Sequence, residues 1–205
     1  MFEYNRLLSA NYNCNKKVIV DQGGTWSQKT YTILQVLILH AIQKKYVITV
    51  AGQDLPNLKK GAIRDIDNIC NDVKNTWVLQ HLRGKTWEKA YNKSDRVLNF
   101  ANGSIIEFQS YDNEQDAKSG KRDYLFINEA NGLPYEIYWQ LFIRASKQVY
   151  LDYNPSAKFW AHDKVLIRPD AQLIISDHRN NKYISKEMHD EIEAIDDPEM
   201  FNIYA

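Results

Sequence analysis

A strand, a glycine pair and a Lys-Thr pair follow one another near the start of the chain. The segment from Val18 to Thr30 reads VIVDQGGTWSQKT, and its last two residues open a strongly apolar helical pattern. The first backbone N–H groups of a helix have no intrahelical partner, and the helix dipole favours an anion there. This order of elements is typical of a loop that cradles the phosphates of a nucleotide.

Each position of this loop has a predicted role. Glycine lets the backbone approach a phosphate closely, Lys29 can reach the β- and γ-phosphates of ATP, and the Thr30 hydroxyl can bind Mg²⁺. The pattern G-x-x-x-x-G-K-[ST] places Gly23 at its first glycine but Gln28 at its second. We therefore expect Gln28 to avoid a positive φ; the alternative is a tight strand-to-helix turn with an incidental lysine. The predicted phosphate-binding residues are Gly23, Gly24, Thr25, Trp26, Ser27, Gln28, Lys29 and Thr30.

A second polar pair stands at the end of a later apolar strand. Residues 124–127 read YLFI and are followed by Asn128 and Glu129. In open α/β sheets, ligands bind outside the carboxyl ends of the strands. ATP hydrolysis needs a group there for the Mg²⁺ shell and a carboxylate that activates water. We predict Asn128 for the metal shell and Glu129 as general base, with an ordinary surface carboxylate as the alternative for Glu129.

A third polar group follows the strand at residues 149–151. Asp152, Tyr153 and Asn154 precede Pro155, which ends the strand and holds its predecessor extended. Asn154 is thus predicted at the same sheet edge as Glu129, where an amide senses the γ-phosphate or orients the water. A turn in which the Asn154 side chain bonds its own backbone is the alternative.

Composition restricts the class of protein. The chain has 205 residues, 44% of them hydrophobic and 25% charged, enough for one sizeable core or one domain with an appendage. The formal net charge is zero, so contact with nucleic acid requires a local basic patch or another chain. Cys14 and Cys70 lack the spacing of metal ligands or of a disulfide framework, which favours a reducing cytosol. No apolar run is long enough to span a bilayer, so we expect no membrane partner.

The remaining patterns indicate an α/β fold. A helix over residues 30–45 and a strand over residues 46–51 complete a βαβ unit with a right-handed crossover. Residues 56–73 are predicted to form one helix. Asn102-Gly103 predicts a hairpin with a type I′ turn, either an addition to the sheet edge or a flap. Residues 1–15 either lie over the nucleotide or form a loosely docked terminus.

Taken together, three strings resemble the ATPase domain of phage terminase large subunits. They are Gly23-Gly24-x-x-Ser27-x-Lys29-Thr30-Tyr31, Phe126-Ile127-Asn128-Glu129-Ala130-Asn131 and Leu151-Asp152-Tyr153-Asn154-Pro155-Ser156. The resemblance spans residues 17–160. It implies a P-loop NTPase of the additional-strand, conserved-glutamate (RecA-like) type. Such a domain has a mostly parallel central sheet with helices on both faces, and here an antiparallel hairpin would be added.

The resemblance also implies a function. Terminases of this kind hydrolyse ATP with Mg²⁺ to move double-stranded DNA into a procapsid. The implied partners are the DNA, the portal protein of the procapsid, the small terminase subunit and further copies of the chain in a ring, in the host cytoplasm; the chain alone is expected to be feeble, as a monomer. By resemblance, Lys29 and Thr30 hold phosphate and Mg²⁺, Glu129 activates water and Asn154 lies in the motif that couples hydrolysis to movement.

The chain departs from its relatives at two positions. Many relatives have an arginine where this chain has Trp26, so the cation must come from elsewhere, and Asn128 lacks the usual Walker B charge. We expect a positively charged side chain in the loop before the second apolar strand to act at the nucleotide site of a neighbouring subunit. Arg144 is more suited to a structural role. The candidates are Lys118, Lys121 and Arg122.

We expect residues 1–170 to form the ATPase domain and residues 171–205 to form an extension towards a nuclease domain that this chain lacks. No nuclease activity is expected, because the acidic residues after residue 159 form no metal cluster on strands. Two other functions fit the residues. One is a different P-loop DNA-dependent ATPase, helicase-like or RecA-like; the other is a P-loop module with a decayed site that serves structure or interaction.

Overall fold

One sheet of eight strands organises residues 2–204, the part of the chain that this computed structural model describes. The strands are β1 (Val18–Gly23), β2 (Val47–Gly52), β3 (Tyr91–Asn92), β4 (Val97–Asn99), β5 (Ile105–Ser110), β6 (Tyr124–Ile127), β7 (Val149–Tyr153) and β8 (Ala171–Ser176). Their order across the sheet is β3-β4-β5-β2-β6-β7-β1-β8. The six strands from β5 to β8 in that order are parallel, and β3 and β4 add antiparallel pairs at one edge.

Helices cover both faces of the sheet. They are α1 (Arg6–Tyr12), α2 (Lys29–Gln43), α3 (Leu55–Leu58), α4 (Arg64–Asn71), α5 (Thr76–Leu79), α6 (Trp87–Ala90), α7 (Glu114–Ala117), α8 (Tyr135–Phe142), α9 (Trp160–Lys164), α10 (Lys186–Glu193) and α11 (Pro198–Tyr204). Within the described residues, no helix combines the length and the apolarity needed to cross a bilayer.

Side-chain alternation along the strands produces two cores. On one face, Ile19 and Tyr150 pack with helices α1, α2 and α4 to α6. On the other face, Val20 and Leu151 pack with α7, α8 and α9. Successive strand residues point to opposite faces, so apolar strands such as VIV and VYL feed both cores at once. The predicted mostly parallel sheet with helices on both faces and an antiparallel edge is confirmed.

Strand β7 lies between β1 and β6. The register pairs Asp21 with Asp152 across β1 and β7, and Ile127 with Leu151 across β6 and β7. This inserted strand is the additional strand that the sequence resemblance implies. Its carboxyl end therefore separates the glycine loop after β1 from the Asn128-Glu129 pair after β6.

The sheet does not end at residue 170. Strand β8, which the sequence analysis assigned to an extension beyond the ATPase domain, pairs with β1 along six residues. The close approach depends on Gly23, because a Cβ there would lie 2.3 Å from the backbone oxygen of Ser176. Gly23 thus serves the packing of two strands as well as the start of the loop.

Two local predictions are wrong in detail. Gly103 has φ +84°, but Asn102 does not have the second positive φ of a type I′ turn. Instead Gly103 N–H donates to Phe100 O at 3.1 Å, and glycine supplies one left-handed residue after an ordinary turn. The single helix predicted for residues 56–73 is α3 and α4, joined by a π-helical turn in which Gly61 leaves helical geometry.

Candidate active site

The phosphate-binding loop connects β1 to α2 at the carboxyl edge of the sheet. Helix α2 begins at Lys29, so its first free amides face the loop. The loop is held closed from within, because Ser27 Oγ donates to the Gly24 carbonyl at 2.8 Å. The amides and the positive end of the helix dipole make this edge suitable for an anion.

Gln28 occupies a left-handed conformation, with φ 63° and ψ 14°. The expectation that Gln28 avoids a positive φ is therefore wrong. The side chain compensates in part, because Gln28 Oε1 accepts a hydrogen bond from Asn5 Nδ2 at 3.0 Å. A left-handed residue other than glycine stores on the order of 1–3 kcal/mol and is most frequent at functional sites.

Lys29 is buried and points back into the loop. Its Nζ donates to the carbonyl oxygen of Gly24 at 2.9 Å, and only 7% of the residue is exposed. Burial lowers the pKa of Lys29, and the negative charges of Asp152, Asp21 and Glu129 oppose that shift. The ammonium group thus lies among carboxylates and has, within residues 2–204, one carbonyl as its hydrogen-bond partner. A phosphate can replace that contact.

Asp152 on β7 joins the loop to the second polar pair. Its carboxylate accepts a hydrogen bond from the Thr30 hydroxyl and another from the Glu129 backbone N–H, the latter at 2.6 Å. Asn128 Nδ2 lies 3.2 and 3.3 Å from its two oxygens. Asp152 is 1% exposed. The buried carboxylate on β7 therefore joins Thr30 at the start of α2 to Asn128 and Glu129 after β6.

Asn128 presents a nitrogen, not an oxygen, to this cluster. A carboxylate only accepts hydrogen bonds, so the amide nitrogen must face Asp152, and it lies 3.5 Å from Thr30 Oγ1. The amide oxygen is turned towards Gly61 instead. The amide group therefore acts as a donor to Asp152, and the prediction that Asn128 belongs to the metal shell stays a prediction.

Glu129 follows β6 in a left-handed conformation, with φ 54° and ψ 58°. Its side chain is exposed, while its backbone N–H is bonded to Asp152. Partial desolvation raises the pKa of Glu129, the charge of Asp152 raises it further, and Lys29 opposes both. An accessible carboxylate with a raised pKa, at the end of a buried strand, has the properties of a general base.

A second buried carboxylate lies beside Asp152. Asp21 on β1 is wholly buried, and its Oδ2 accepts from Asn11 Nδ2 at 2.8 Å. Burial raises the pKa of Asp21 well above its ordinary value, and Asp152 adds to the rise. Burial also raises the pKa of Asp152, but Lys29 and the donors around Asp152 oppose that rise more than Asn11 opposes the rise at Asp21.

Asn154 and Trp26 lie at the outer rim of the loop. Asn154 Nδ2 is 3.3 Å from Thr25 Oγ1, so the polar end of β7 contacts the loop directly. The Trp26 ring is 42% exposed, and its carbonyl accepts from Asn181 Nδ2 at 2.9 Å. The structure thus brings Asn154 to the predicted edge, and it brings residues after β8 against the loop.

A cavity of about 890 Å³ opens beside the loop. Thr25, Trp26, Gln28, Lys29 and Thr30 line it together with residues from both ends of the chain. The contributions from the ends and from the region around α4 and α5 are Glu3, Tyr4, Asn5, Arg64, Asp65, Asp72, Lys74, Asn75, Asn181, Lys182 and Tyr183. The N-terminal segment thus borders this cavity through Glu3, Tyr4 and Asn5, which favours the first of the two alternatives for residues 1–15.

The three candidate cations differ in accessibility. Arg122 is 4% exposed and donates to the carbonyls of Ser119 and Gly120, so it is not placed where a neighbouring subunit could meet it. Lys118 and Lys121 are both exposed, and Lys118 pairs with Glu114. All three lie at the amino end of β6, away from the phosphate-binding loop of their own chain.

Sequence reasoning missed Asp152, Asp21 and Asn11. Both aspartates carried a signal, since each is a charged residue in an otherwise apolar strand, and such residues are rarely buried without a partner. The signal was not sufficient, because the partners come from α1, α2 and β6, which only the folded chain brings together.

Comparison with known structures supports the same fold. The chain matches the large terminase of a thermophilic bacteriophage with TM-score 0.78 and 14% identity, over 99% of this chain and 53% of that one. It matches the large terminase ATPase domain of Thermus phage P74-26 with TM-score 0.67 and 11% identity, over 99% and 93%. The N-terminal domain of the DNA packaging ATPase from bacteriophage phi29 matches with TM-score 0.52 and 14% identity, over 89% and 98%.

The chain thus spans about half the length of the first of these terminases, which has also been solved with ADP and with ATP-gamma-S. No curated protein gives a significant match. At these identities the structural matches show a shared fold.

The sheet order, the loop between β1 and α2 and the carboxylates at the strand ends define a P-loop protein of the RecA-like, additional-strand class. Residues 15–200 match the family described as phage terminase large subunit. That match covers most of the chain, and the protein belongs to this family.

Proposed function

We propose that this chain is the ATPase of a viral genome-packaging motor, which hydrolyses ATP to translocate double-stranded DNA into a procapsid. The single observation that carries the proposal is the position of the Asp152 carboxylate on β7. It accepts hydrogen bonds from the Thr30 hydroxyl at the start of α2, on one side, and from the Glu129 backbone N–H after β6, on the other. Phosphate-binding and water-activating groups therefore meet at one edge of the sheet. A decayed module would not require these groups to converge.

The residues present fit Mg²⁺. Thr30 Oγ1 and the oxygens of Asp152 offer hard oxygen ligands beside the loop, which is the chemistry that this ion prefers. When bound, the ion neutralises charge on the phosphate oxygens. Lys29 then exchanges its contact with the Gly24 carbonyl for the phosphates, and Asn154 lies at the rim where the terminal phosphate would be sensed.

Glu129 takes the proton of the attacking water. Its raised pKa makes it a better proton acceptor than an ordinary surface carboxylate, while its bonded backbone fixes its position. Residue 26 is tryptophan, so the positive charge of the usual arginine is missing from the loop. Lys118 or Lys121 of a neighbouring subunit in a ring supplies that charge instead. The further partners in this proposal are the portal protein and the small terminase subunit, in the host cytoplasm. We expect no nuclease activity from these residues.

The test compares ATP turnover by the wild type and by Glu129→Gln, each with and without duplex DNA. We expect turnover to fall by about 100-fold or more, because a general base contributes about 10²–10⁴ in rate. ATP binding should persist. Glu136→Gln is the matched control, since Glu136 is an exposed glutamate in the first turn of α8.

Equal turnover by the wild type and Glu129→Gln would contradict the catalytic assignment. Strand separation by the wild type, without movement along intact duplex, would favour the helicase-like alternative. A wild type that binds no nucleotide would favour the decayed module.

A further inference from the structure

The carboxylate that normally follows the second apolar strand of such a site is absent from this chain, since residue 128 is asparagine. A neutral amide cannot offset the charge of a divalent cation. Its nitrogen is also committed to Asp152, at 3.2 Å from one oxygen and 3.3 Å from the other. The site therefore needs its negative charge from another residue.

Asp152 lies where that charge is needed. Strand β7 stands between β1 and β6, and Asp152 points to the same face as α2, whose second residue is Thr30. The Thr30 hydroxyl donates a hydrogen bond to Asp152, which leaves the lone pairs of the Thr30 oxygen free for a cation. The same carboxylate is held by the Glu129 N–H at 2.6 Å.

Several hydrogen-bond donors surround the carboxylate of Asp152. Its side chain is 1% exposed, yet it has hydrogen-bond donors from a hydroxyl, an amide side chain and a backbone N–H. Asp21, its neighbour on β1, has only Asn11 as a hydrogen-bond partner among the described residues. Of the two buried carboxylates, Asp152 is therefore the one that has donors from both sides of the site around it.

We propose that Asp152 supplies the carboxylate of the Mg²⁺ shell in this chain, and that Asn128 acts as the donor that positions it. The inference rests on the proposed function, because it assigns the metal of the same site. It accounts for the asparagine, since a second carboxylate at residue 128 would face Asp152 at hydrogen-bond distance and repel it. The metal shell requires one carboxylate, and in this chain Asp152 on β7 provides it in place of residue 128 after β6.

This assignment predicts that the carboxylate of the metal shell can be moved from residue 152 to residue 128. Asn128→Asp combined with Asp152→Asn transfers the carboxylate to β6 and keeps one amide and one acid in contact. Asp123→Asn is the matched control, because it removes a carboxylate at the opposite, amino end of the same sheet, where Asp123 accepts from the backbone N–H of Val47 at 3.0 Å.

The experiment measures binding of a fluorescent ATP analogue by the full chain as Mg²⁺ is titrated, and binding of Mn²⁺ by electron paramagnetic resonance. For Asp152→Asn we expect the metal concentration for half-saturation to rise by about 10–100-fold, as for residues that hold a metal site together. Binding of the analogue in excess chelator should change little. The exchanged double variant should recover wild-type metal dependence, and Asp123→Asn should retain it.

The outcomes separate the two proposals. A wild type that binds no nucleotide overturns the proposed function and this inference with it. A wild type that binds Mg²⁺-nucleotide while Asp152→Asn keeps the same metal dependence overturns the inference alone. If thermal melting shows that Asp152→Asn does not fold, the double variant decides, since a folded double variant with weakened metal binding contradicts the exchange of roles.

Discussion

The two ends of the parallel strands use charged residues in different ways. At the amino end, Lys17 Nζ donates to the carbonyls of Ala145 and Lys147, each at 2.6 Å. Asp123 at the same end accepts from the backbone N–H of Val47 at 3.0 Å. These side chains satisfy backbone groups that the ends of strands leave without partners, so their role is complete within the fold.

At the carboxyl end, the charged groups meet one another instead. Lys29, Asp21 and Asp152 are buried together, and Gln28 and Glu129 hold left-handed backbone conformations. In the part of the chain that the structure describes, Lys29 has one carbonyl as its hydrogen-bond partner. Backbone strain beside buried charges of opposite sign indicates that the carboxyl end is the one built for a ligand.

The largest effect expected from this comparison is on nucleotide affinity. Lys29→Met removes the charge but keeps the apolar stem, and affinity for ATP should fall by about 100-fold, because contacts to charged groups are worth about 1.5–3 kcal/mol. Lys17→Met, the matched change at the amino end, should leave affinity unchanged and lower the free energy of unfolding by about 1–3 kcal/mol.

Binding of a fluorescent ATP analogue and urea unfolding measure the two quantities on both variants. The division between the two ends would be refuted if Lys17→Met weakened nucleotide binding as much as Lys29→Met does.

The stability of the two ends also depends on pH, with opposite signs. His40 packs at 4.3 Å between ring centroids against Tyr124, which opens β6, and burial lowers the pKa of His40 to about 4. The unfolded chain then binds more protons than the folded one between pH 6.5 and about 4. The free energy of unfolding should therefore fall as pH falls through that window, by on the order of 3 kcal/mol.

Asp21 acts in the other direction. Its pKa is raised well above 3.8 in the folded protein, so the folded chain binds more protons and stability should fall as pH rises from that value. Urea unfolding at several pH values measures both effects. For His40→Phe, the free energy of unfolding should fall less between pH 6.5 and about 4 than it does for the wild type. For Asp21→Asn, the free energy of unfolding at neutral pH should be higher than that of the wild type. If His40→Phe lost as much stability as the wild type between pH 6.5 and about 4, His40 would be excluded as the cause of that loss.

The sequence was sufficient where local pattern decides structure. The apolar strands before Gly23 and before Asn128 and the helix that begins at Lys29 follow from periodicity, and the resemblance of three short strings supplied the class of fold. Glu129 and Asn154 were correctly expected at the same sheet edge, because both follow strands that end there.

The sequence was insufficient where distant elements meet. The role of Asp152 depends on its flanking strands, and the pairing of β8 with β1 depends on a glycine whose partner lies far along the chain. The conformation of Gln28 could not be read locally either, since the fold imposes a left-handed residue on a side chain that does not favour it. The burial of Arg122 likewise follows from packing around the loop before β6.

The most direct test of the account is a crystal structure of this chain with Mg²⁺ and a non-hydrolysable ATP analogue. We expect Lys29 Nζ to leave the Gly24 carbonyl for the phosphates, Thr30 and Asp152 to face the metal, and the Glu129 carboxylate to face the terminal phosphate. Phosphates bound away from the loop, or a Glu129 side chain directed away from them, would contradict the assignment of this edge as the site of ATP hydrolysis.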